Sequence, residues 1–198
     1  PVFFGDETFM DAIEALTTSR SPAKLVQPAP RENALALMLR AGARAPDHGR
    51  LRPWRFILLK GAARERFGAV LAQSLAARNP AAPAEVVARE RQKPLRAPVV
   101  LVVAAAVQPG HKIPVIEQLL AAGAAAQNVL LAAYALGFGG MWRTGDSAYD
   151  AGVKAALGLG AEDAIVGYLY LGTPAGRALI PPDEPDPASF LREWTVAL

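Results

Sequence analysis

The sequence contains no cysteine and only two histidines, His48 and His111. Without cysteine, the chain can form no disulfide, thiolate nucleophile, iron–sulfur cluster or cysteine zinc site. Two imidazoles are too few for a typical histidine metal site, so no bound metal is expected. The chemistry must therefore come from other side chains or from an organic cofactor.

Common nucleotide-binding and nucleophile motifs are also missing. No GxGxxG follows a strand pattern, no GxxxxGK[ST] occurs, and no GxSxG elbow is present. Their absence argues against a Rossmann dinucleotide site, a P-loop and a serine hydrolase of the elbow type. Hydrolysis by paired carboxylates stays open, because acidic side chains need no such local motif.

Aromatic residues make up only 7% of the chain, and its net charge is only +3. Because hydrophobic residues reach 52% and many of them are alanine, the core should depend on close backbone approach rather than on large side chains. A small positive charge without a dense Lys/Arg cluster is not typical of a nucleic-acid-binding protein. Small acidic molecules are the expected ligands.

The length and the lack of repeats indicate a single domain over residues 1–198. No basic region followed by an apolar run opens the sequence, so a cytoplasmic location is expected. Residues 1–8 are expected to be disordered or foreign to the natural chain. Residues 77–96 should form an exposed excursion, and residues 174–198 an extended tail that packs on a partner subunit.

Hydrophobic periodicity predicts interspersed helices and strands, and therefore an α+β or α/β layer protein. The predicted helices cover residues 6–18 with Asp6 or Thr8 as N-cap, 35–42, 67–75, 115–136, and a short run ending at Leu157 with Asp146 or Ser147 as N-cap. The predicted strands cover residues 54–59, 98–106, 138–143 and 164–172. The first strand is expected to be buried on both faces. Pro28 and Pro30 indicate a linker.

The predicted helix at residues 115–136 is long and carries no charge from Leu119 onward. About 20 apolar residues are enough to span a membrane. Gln127 and Asn128 lie in its middle, and the flanking strands need a soluble sheet to join, so we instead expect a central core helix or an oligomer-interface helix. Gly137 is expected to end it.

A loop between a helix and a strand carries five side chains that can be positive: Arg44, His48, Arg50, Arg52 and Arg55. Pro46, Pro53, Gly49 and an Asx turn at Asp47 should make it stiff. It could hold an anion, or it could be a solvated basic face. The same two readings apply to a second cluster at the end of the first helix, Ser19-Arg20-Ser21-Pro22.

Four segments, taken in order, resemble the FMN-dependent nitroreductase family. They are Ser19-Arg20-Ser21, Arg44-Ala-Pro-Asp-His48 followed by Pro53-Trp54, residues 138–144 (Phe-Gly-Gly-Met-Trp-Arg-Thr) and residues 166–174 (Val-Gly-Tyr-Leu-Tyr-Leu-Gly-Thr-Pro). A His-Lys-x-Pro segment at residues 111–114 is similar to one found in a subgroup of NAD(P)H nitroreductases. The resemblance covers the chain from about Met10 to Phe190.

The resemblance implies an α+β nitroreductase-like fold: a central, mostly antiparallel sheet flanked by helices, with a long central interface helix. It also implies a homodimer with FMN at the subunit interface and NAD(P)H as electron donor. The residues implied for FMN are Ser19, Arg20, Ser21, Arg44, His48, Trp142, Arg143 and Thr144. Of these, Arg44 and His48 should reach the partner's flavin. Trp142 as a core residue and Arg143 in a surface ion pair are the alternatives.

The resemblance also implies a nicotinamide nucleotide segment, made of Ala132, Ala133, Tyr134, Ala135, Leu136 and Gly137. Two departures from the family pattern stand out. Arg52 replaces the glutamine that many members have before the Pro-Trp pair, which adds charge on the substrate side. The C-terminal tail lacks the Lys-x-Arg pair that completes the phosphate site in many members, and Arg177 is a candidate replacement.

The function implied is hydride transfer from NAD(P)H through FMN to a nitroaromatic, quinone or similar acceptor by a ping-pong mechanism. No side chain need act as nucleophile, because the flavin carries the chemistry. One alternative is an FMN protein of the same fold that acts on a specific metabolite. Another is a non-enzymatic binding or membrane-associated protein assembled through the long helix.

Overall fold

A five-stranded sheet forms the centre of the computed structural model, which describes residues 10–176 and 185–194. Every strand pair is antiparallel, in the order β1-β5-β3-β2, with β4 also paired to β5. The strands are β1 Lys24–Val26, β2 Trp54–Lys60, β3 Val99–Ala105, β4 Gly139–Arg143 and β5 Ala164–Ala175. The helices are α1 Ala12–Thr18, α2 Glu32–Gly42, α3 Ala62–Arg78, α4 Ala84–Gln92, α5 Val115–Ala135 and α6 Ala151–Ala156. The α+β prediction and the mostly antiparallel sheet are confirmed.

The core lies on both faces of β3, in which no residue is more than 1% exposed. Because side chains alternate along a strand, Val100 and Val102 join one hydrophobic cluster with α3. Val99, Leu101 and Val103 join a second cluster with α2 and α5. The sheet is therefore covered by helices on both sides, as its long apolar run predicts.

The prediction that β2 is buried on both faces was wrong. Within the part of the chain that the structure describes, β2 pairs only with β3 and lies at the edge of the sheet. Leu59 is 8% exposed, but Leu58 is 37% exposed. A continuous apolar run is typical of a central strand, and here it occurs in an edge strand with incomplete cover.

Helix α5 explains the alanine-rich composition. Its buried residues are mostly small (Ala121, Ala122, Ala125, Ala126, Val129 and Ala133, with Gln118). Small side chains let α2 approach closely: a Cβ added at Gly42 would lie 2.8 Å from Cγ2 of Val129. The Asn128 side-chain amide also donates a hydrogen bond of 3.1 Å to the carbonyl of Ala41.

Among the described residues, α5 is the one helix long and apolar enough to cross a membrane. Because α5 packs against the sheet and α2, its apolar composition is also what a core helix of a folded domain requires. It ends as predicted at Gly137, which has a φ of +79°. The amides of Gly137 and Phe138 donate back to the carbonyls of Tyr134 and Ala133, as in a Schellman cap.

Two predicted helix caps were wrong. Helix α1 begins after Asp11, whose carboxylate accepts from the amides of Ile13 and Glu14. Asp6 and Thr8, the predicted caps, lie outside the described residues. Helix α6 is capped by Asp150, whereas Asp146 and Ser147 belong to a preceding 3-10 turn. In each case a nearer Asp is the residue that accepts from the first helical amides.

One strand was missed by the sequence patterns. The segment between the first two helices contains the short strand β1, which pairs with the end of β5. Three residues are too few for an alternation pattern.

The predicted excursion at residues 77–96 contains the last two residues of α3, all of α4 and a 3-10 helix at Lys93–Arg96. No residue of α4 is buried, but Pro94 of the 3-10 helix is. In the tail, Phe190, Leu191 and Trp194 are between 78% and 85% exposed. Arg177, the candidate phosphate contact, lies outside the described residues.

Candidate functional site

The segment Ser19-Arg20-Ser21 lines a cavity of about 170 Å³. The opposite wall comes from α5, through Gln127, Leu130, Leu131 and Tyr134, and from Gly140 at the start of β4. The four α5 residues follow the spacing i, i+3, i+4 and i+7, which places them on one face of the helix. One of the two predicted anion clusters therefore faces the long central helix.

Local contacts hold this segment in place. Ser19 is the C-cap of α1, and its amide donates to the carbonyl of Ala15. The Tyr134 hydroxyl lies 3.3 Å from the Thr18 hydroxyl and ties the end of α1 to α5. Gly139 is needed beside it, because a Cβ there would lie 2.7 Å from Cγ of Pro22. The segment at Pro22 can therefore pack this closely against β4 only because residue 139 has no side chain.

The donors at this cavity are suited to an anion. Arg20 offers five N–H groups in a fork, Ser19 and Ser21 offer hydroxyls, and Gln127 offers an amide. Within the described part of the chain, Arg20 makes no ion pair. No group of three or more potential metal ligands occurs in the ranges that the structure describes. The cavity is therefore better suited to a phosphate or carboxylate than to a cation.

A second, more apolar cleft of about 450 Å³ adjoins the first, and Leu131 lines both. It lies between α1, α2 and α5, and its polar lining residues are Arg44 and Asn128. The other lining residues are Met10, Ala12, Ala15, Leu16, Ala41, Ala132 and Ala135. An apolar cleft with one guanidinium, next to an anion-binding cavity, can accommodate a flat molecule with an acidic end.

The loop that carries the five basic side chains, residues 44–55 and hereafter the cation loop, is more structured than a solvated basic face. His48 Nδ1 lies 2.6 Å from Oε2 of Glu117, in the first turn of α5. The Arg55 guanidinium donates to the carbonyls of Arg52 and Trp54, at 3.1 and 3.0 Å. The Asp47 carboxylate accepts from the amide of Arg52 at 2.7 Å, so it closes the loop over five residues rather than through the predicted Asx turn, which would use the amide two residues on. Two of the five basic side chains, His48 and Arg55, thus contact groups of the same chain.

Trp142 and Arg143 lie on opposite faces of the sheet. Trp142 packs against the cluster of α2 and α5, and its indole N–H donates to the carbonyl of Val166 at 3.2 Å. Burial raises the pKa of Tyr170 on the other face, and the guanidinium groups of Arg96 and Arg143 oppose that rise. The structure therefore does not bring the Arg143 side chain to the cavity of Ser19, and Thr144 is exposed outside it.

The segment 132–137 is divided among four environments: the Ser19 cavity, the apolar cleft, the core and the helix end. Tyr134 lines the cavity of Ser19, and Ala132 and Ala135 line the apolar cleft. Ala133 is fully buried and offers a ligand no surface. Leu136 packs against the core, and Gly137 forms the helix end.

Gln127 is a lining residue that the sequence patterns did not assign to the site. Its exposed amide sits on the cavity wall, four residues before Leu131. A polar residue inside an uncharged apolar run was the available signal, because such a residue needs water, a partner or a ligand.

The family model described as the nitroreductase family matches residues 25–173. The chain is 42% identical over 182 residues to "Putative NAD(P)H nitroreductase YdjA" of Escherichia coli K12, covering 92% of this chain and 98% of that protein. It is also 32% identical over 170 residues to a "Putative NAD(P)H nitroreductase" of Haemophilus influenzae, covering 85% and 91%.

A solved structure carries the same fold together with a named cofactor. It is described as "a putative nitroreductase in complex with fmn" from Desulfovibrio desulfuricans, with a TM-score of 0.71 and 25% identity, covering 96% of this chain and 100% of that one. The family model spans well over half of the chain, and the sequence relatives cover most of it. The chain belongs to the nitroreductase family.

Proposed function

We propose that this protein is an FMN-dependent oxidoreductase that transfers reducing equivalents from NAD(P)H to a nitroaromatic, quinone or similar acceptor. The observation that carries the proposal is the placement of Arg20, Ser19 and Ser21 around one cavity on α5 in a chain of the nitroreductase family. The FMN in the Desulfovibrio structure supports the choice of cofactor.

The donor set fits FMN. A guanidinium and two hydroxyls can bind the phosphate and the ribityl chain through charge-assisted and neutral hydrogen bonds. When bound, FMN would supply the redox chemistry, which is the passage of reducing equivalents from NAD(P)H to the acceptor in a ping-pong sequence. The chain's own residues bind and orient, and no described side chain is needed as a nucleophile.

The geometry of the site favours a homodimer with the cofactor between subunits. A cavity of about 170 Å³ is smaller than typical small-molecule sites, which span about 300–1,000 Å³. The two helices nearest to it, α1 and α5, expose apolar side chains: Ile13 is 66% exposed, Leu16 55% and Leu120 64%. A second copy packed on this surface would enlarge the site and cover these residues. The exposed tail residues Phe190 and Trp194 would pack on the same partner.

Within such a dimer, we assign Arg44 and His48 to the flavin of the partner subunit. Residues 142–144 would contact the flavin through backbone groups, because the Trp142 indole is used in the core and Arg143 lies on the other face. In segment 132–137, Ala132, Tyr134 and Ala135 are the residues with surface available to a nicotinamide nucleotide.

The proposal predicts a yellow protein whose visible flavin absorbance is lost when NAD(P)H is added without oxygen and returns when an acceptor is added. The measurement is a visible spectrum of the purified protein before and after each addition. A colourless protein that also fails to bind added FMN would show that the proposed cofactor is wrong. Repeating the titration with NADH and NADPH assigns the donor.

Replacing Arg44 or His48 with alanine is expected to weaken FMN binding by about tenfold, as expected for the loss of one hydrogen bond to the cofactor. The reason is that both side chains lie on the loop that borders the apolar cleft, and Glu117 fixes His48 at the start of α5. FMN affinity is measured by flavin fluorescence during titration of the cofactor-free protein.

A Glu117→Gln variant is the matched comparison, because it removes the carboxylate that holds His48 but keeps the imidazole. It should weaken binding less than His48→Ala. Unchanged FMN affinity in both alanine variants would show that this loop does not bind FMN and is only a basic surface in contact with solvent.

A further inference from the structure

A third cleft, of about 340 Å³, lies on the cation loop next to the proposed cofactor site. It shares Arg44 with the apolar cleft. Its lining residues are Ala43, Arg44, Ala45, Asp47, Arg50, Arg52 and Trp54. The cleft therefore combines three guanidinium groups with one indole and a single carboxylate.

The positive charge of this cleft is available to a ligand. One oxygen of the Asp47 carboxylate, Oδ2, accepts from the Arg52 backbone amide at 2.7 Å. The guanidinium of the nearby Arg55 is directed to backbone carbonyls instead. Within residues 10–176 and 185–194, the side chains of Arg50 and Arg52 form no ion pair and no hydrogen bond to protein. Both side chains are exposed.

The loop holds these two arginines in an unfavourable backbone conformation. Arg50 has a φ of +56° and Arg52 a φ of +50°, in the left-handed region that glycine and asparagine adopt more easily. Gly49 between His48 and Arg50 packs on Ile113 so closely that a Cβ would lie 2.3 Å from Cδ1 of that residue. Such strained positions cluster at ligand-binding sites, where the surrounding structure over-determines them.

We propose that Arg50 and Arg52 select an electron acceptor that carries an anionic group, such as a carboxylate or sulfonate, on its aromatic ring. The half-buried Trp54 indole offers the ring an apolar surface, and the guanidinium groups match a planar carboxylate. The inference deepens the proposed function and rests on it, since Arg44 links this cleft to the cofactor site.

The same chemistry is found in the 2′-phosphate of NADPH, so the anion has two conceivable sources. The volume of the cleft favours the acceptor. At about 340 Å³, it is at the lower end of the range for small-molecule sites and suits one substituted ring rather than a dinucleotide.

The test compares two acceptors of similar shape, 4-nitrobenzoate and the neutral 4-nitrobenzamide, with the FMN-loaded enzyme. We expect kcat/KM to favour the anion by about tenfold at low salt, since two exposed charge pairs contribute about fivefold or less each. The preference should shrink as ionic strength rises. In the variant Arg50→Gln/Arg52→Gln, the preference should fall to about one.

The matched control is Arg66→Gln/Arg89→Gln, which makes the same charge change at exposed positions of α3 and α4. It should keep the preference for the anion. A second readout does not depend on turnover: benzoate, which cannot be reduced here, should bind the oxidised holoprotein more tightly than benzamide, measured by calorimetry, and only when Arg50 and Arg52 are present.

Three outcomes would overturn the inference. The first is equal kcat/KM for the two acceptors in the unmodified protein. The second is an anion preference that survives in Arg50→Gln/Arg52→Gln. The third is a variant that raises KM for NADPH but not for NADH or 4-nitrobenzoate, because it would assign the arginines to the 2′-phosphate. Failure to bind FMN or to reduce either acceptor would instead refute the proposed function itself.

Discussion

Replacing Arg20 with alanine is expected to lower the affinity for FMN by about ten- to a hundredfold, which corresponds to the loss of charged hydrogen bonds. Arg20 is the one guanidinium on the described wall of the Ser19 cavity, where the other donors are neutral. Loss of either serine hydroxyl should cost less, because neutral hydrogen bonds contribute less than charged ones.

The measurement is the dissociation constant of FMN from the cofactor-free protein, followed by flavin fluorescence. Arg89→Ala is a matched control, because it removes an arginine from an exposed position of α4. Riboflavin, which lacks the phosphate, provides a second comparison. If Arg20 binds the phosphate, Arg20→Ala should change riboflavin binding little. An equal loss for FMN and riboflavin would contradict a phosphate contact.

The parts of the fold that the sequence predicts well are those with a strong, unbroken signal. Strand β3 lies in a run of valine, leucine and alanine, and it is buried on both faces. From Leu119 onward, helix α5 lies in a long uncharged run, and Gly137 ends it with a positive φ. In both cases the local backbone preference and the burial of apolar side chains favour the same structure, so tertiary packing does not change what the local sequence predicts.

Other features depend on contacts that no local pattern encodes. β1 is set by its pairing with the end of β5, and the edge position of β2 is set by the order of the strands. The separation of Trp142 and Arg143 follows from strand alternation once β4 is placed. Which of these two side chains lies on the α5 side of the sheet, however, depends on the register of β4 with β5.

The residues of the candidate site also fall into those that the sequence predicts and those that only the fold brings together. The segment Ser19-Arg20-Ser21 could be singled out from its residue types alone, because a guanidinium between two hydroxyls suits an anion. Its opposite wall, including Gln127 and Tyr134, becomes visible only when α1 lies against α5. The glycine at residue 139 matters for the same reason, since the space that it leaves is filled by Pro22 and Leu25.

Replacing Trp142 with alanine is expected to lower the free energy of unfolding by about 3 kcal/mol, the low end for a Trp→Ala change because the residue is only partly buried. Its indole packs in the cluster between the sheet and α5 and donates to the carbonyl of Val166. A Cβ added at Gly167 would lie 2.1 Å from Nε1 of Trp142, so the indole ring packs directly on that glycine. Its loss would leave a cavity that the packed strands cannot close.

Urea unfolding of the cofactor-free protein at one fixed concentration measures this effect without a contribution from FMN. Trp142→Phe should lose less, because it keeps an aromatic ring and gives up mainly one hydrogen bond, worth about 1 kcal/mol. Tyr149→Ala, at a position that is 81% exposed, should change stability by about 0.5 kcal/mol or less. If Trp142→Ala left the cofactor-free protein as stable as before and weakened only FMN binding, the indole would belong to the flavin site rather than to the core.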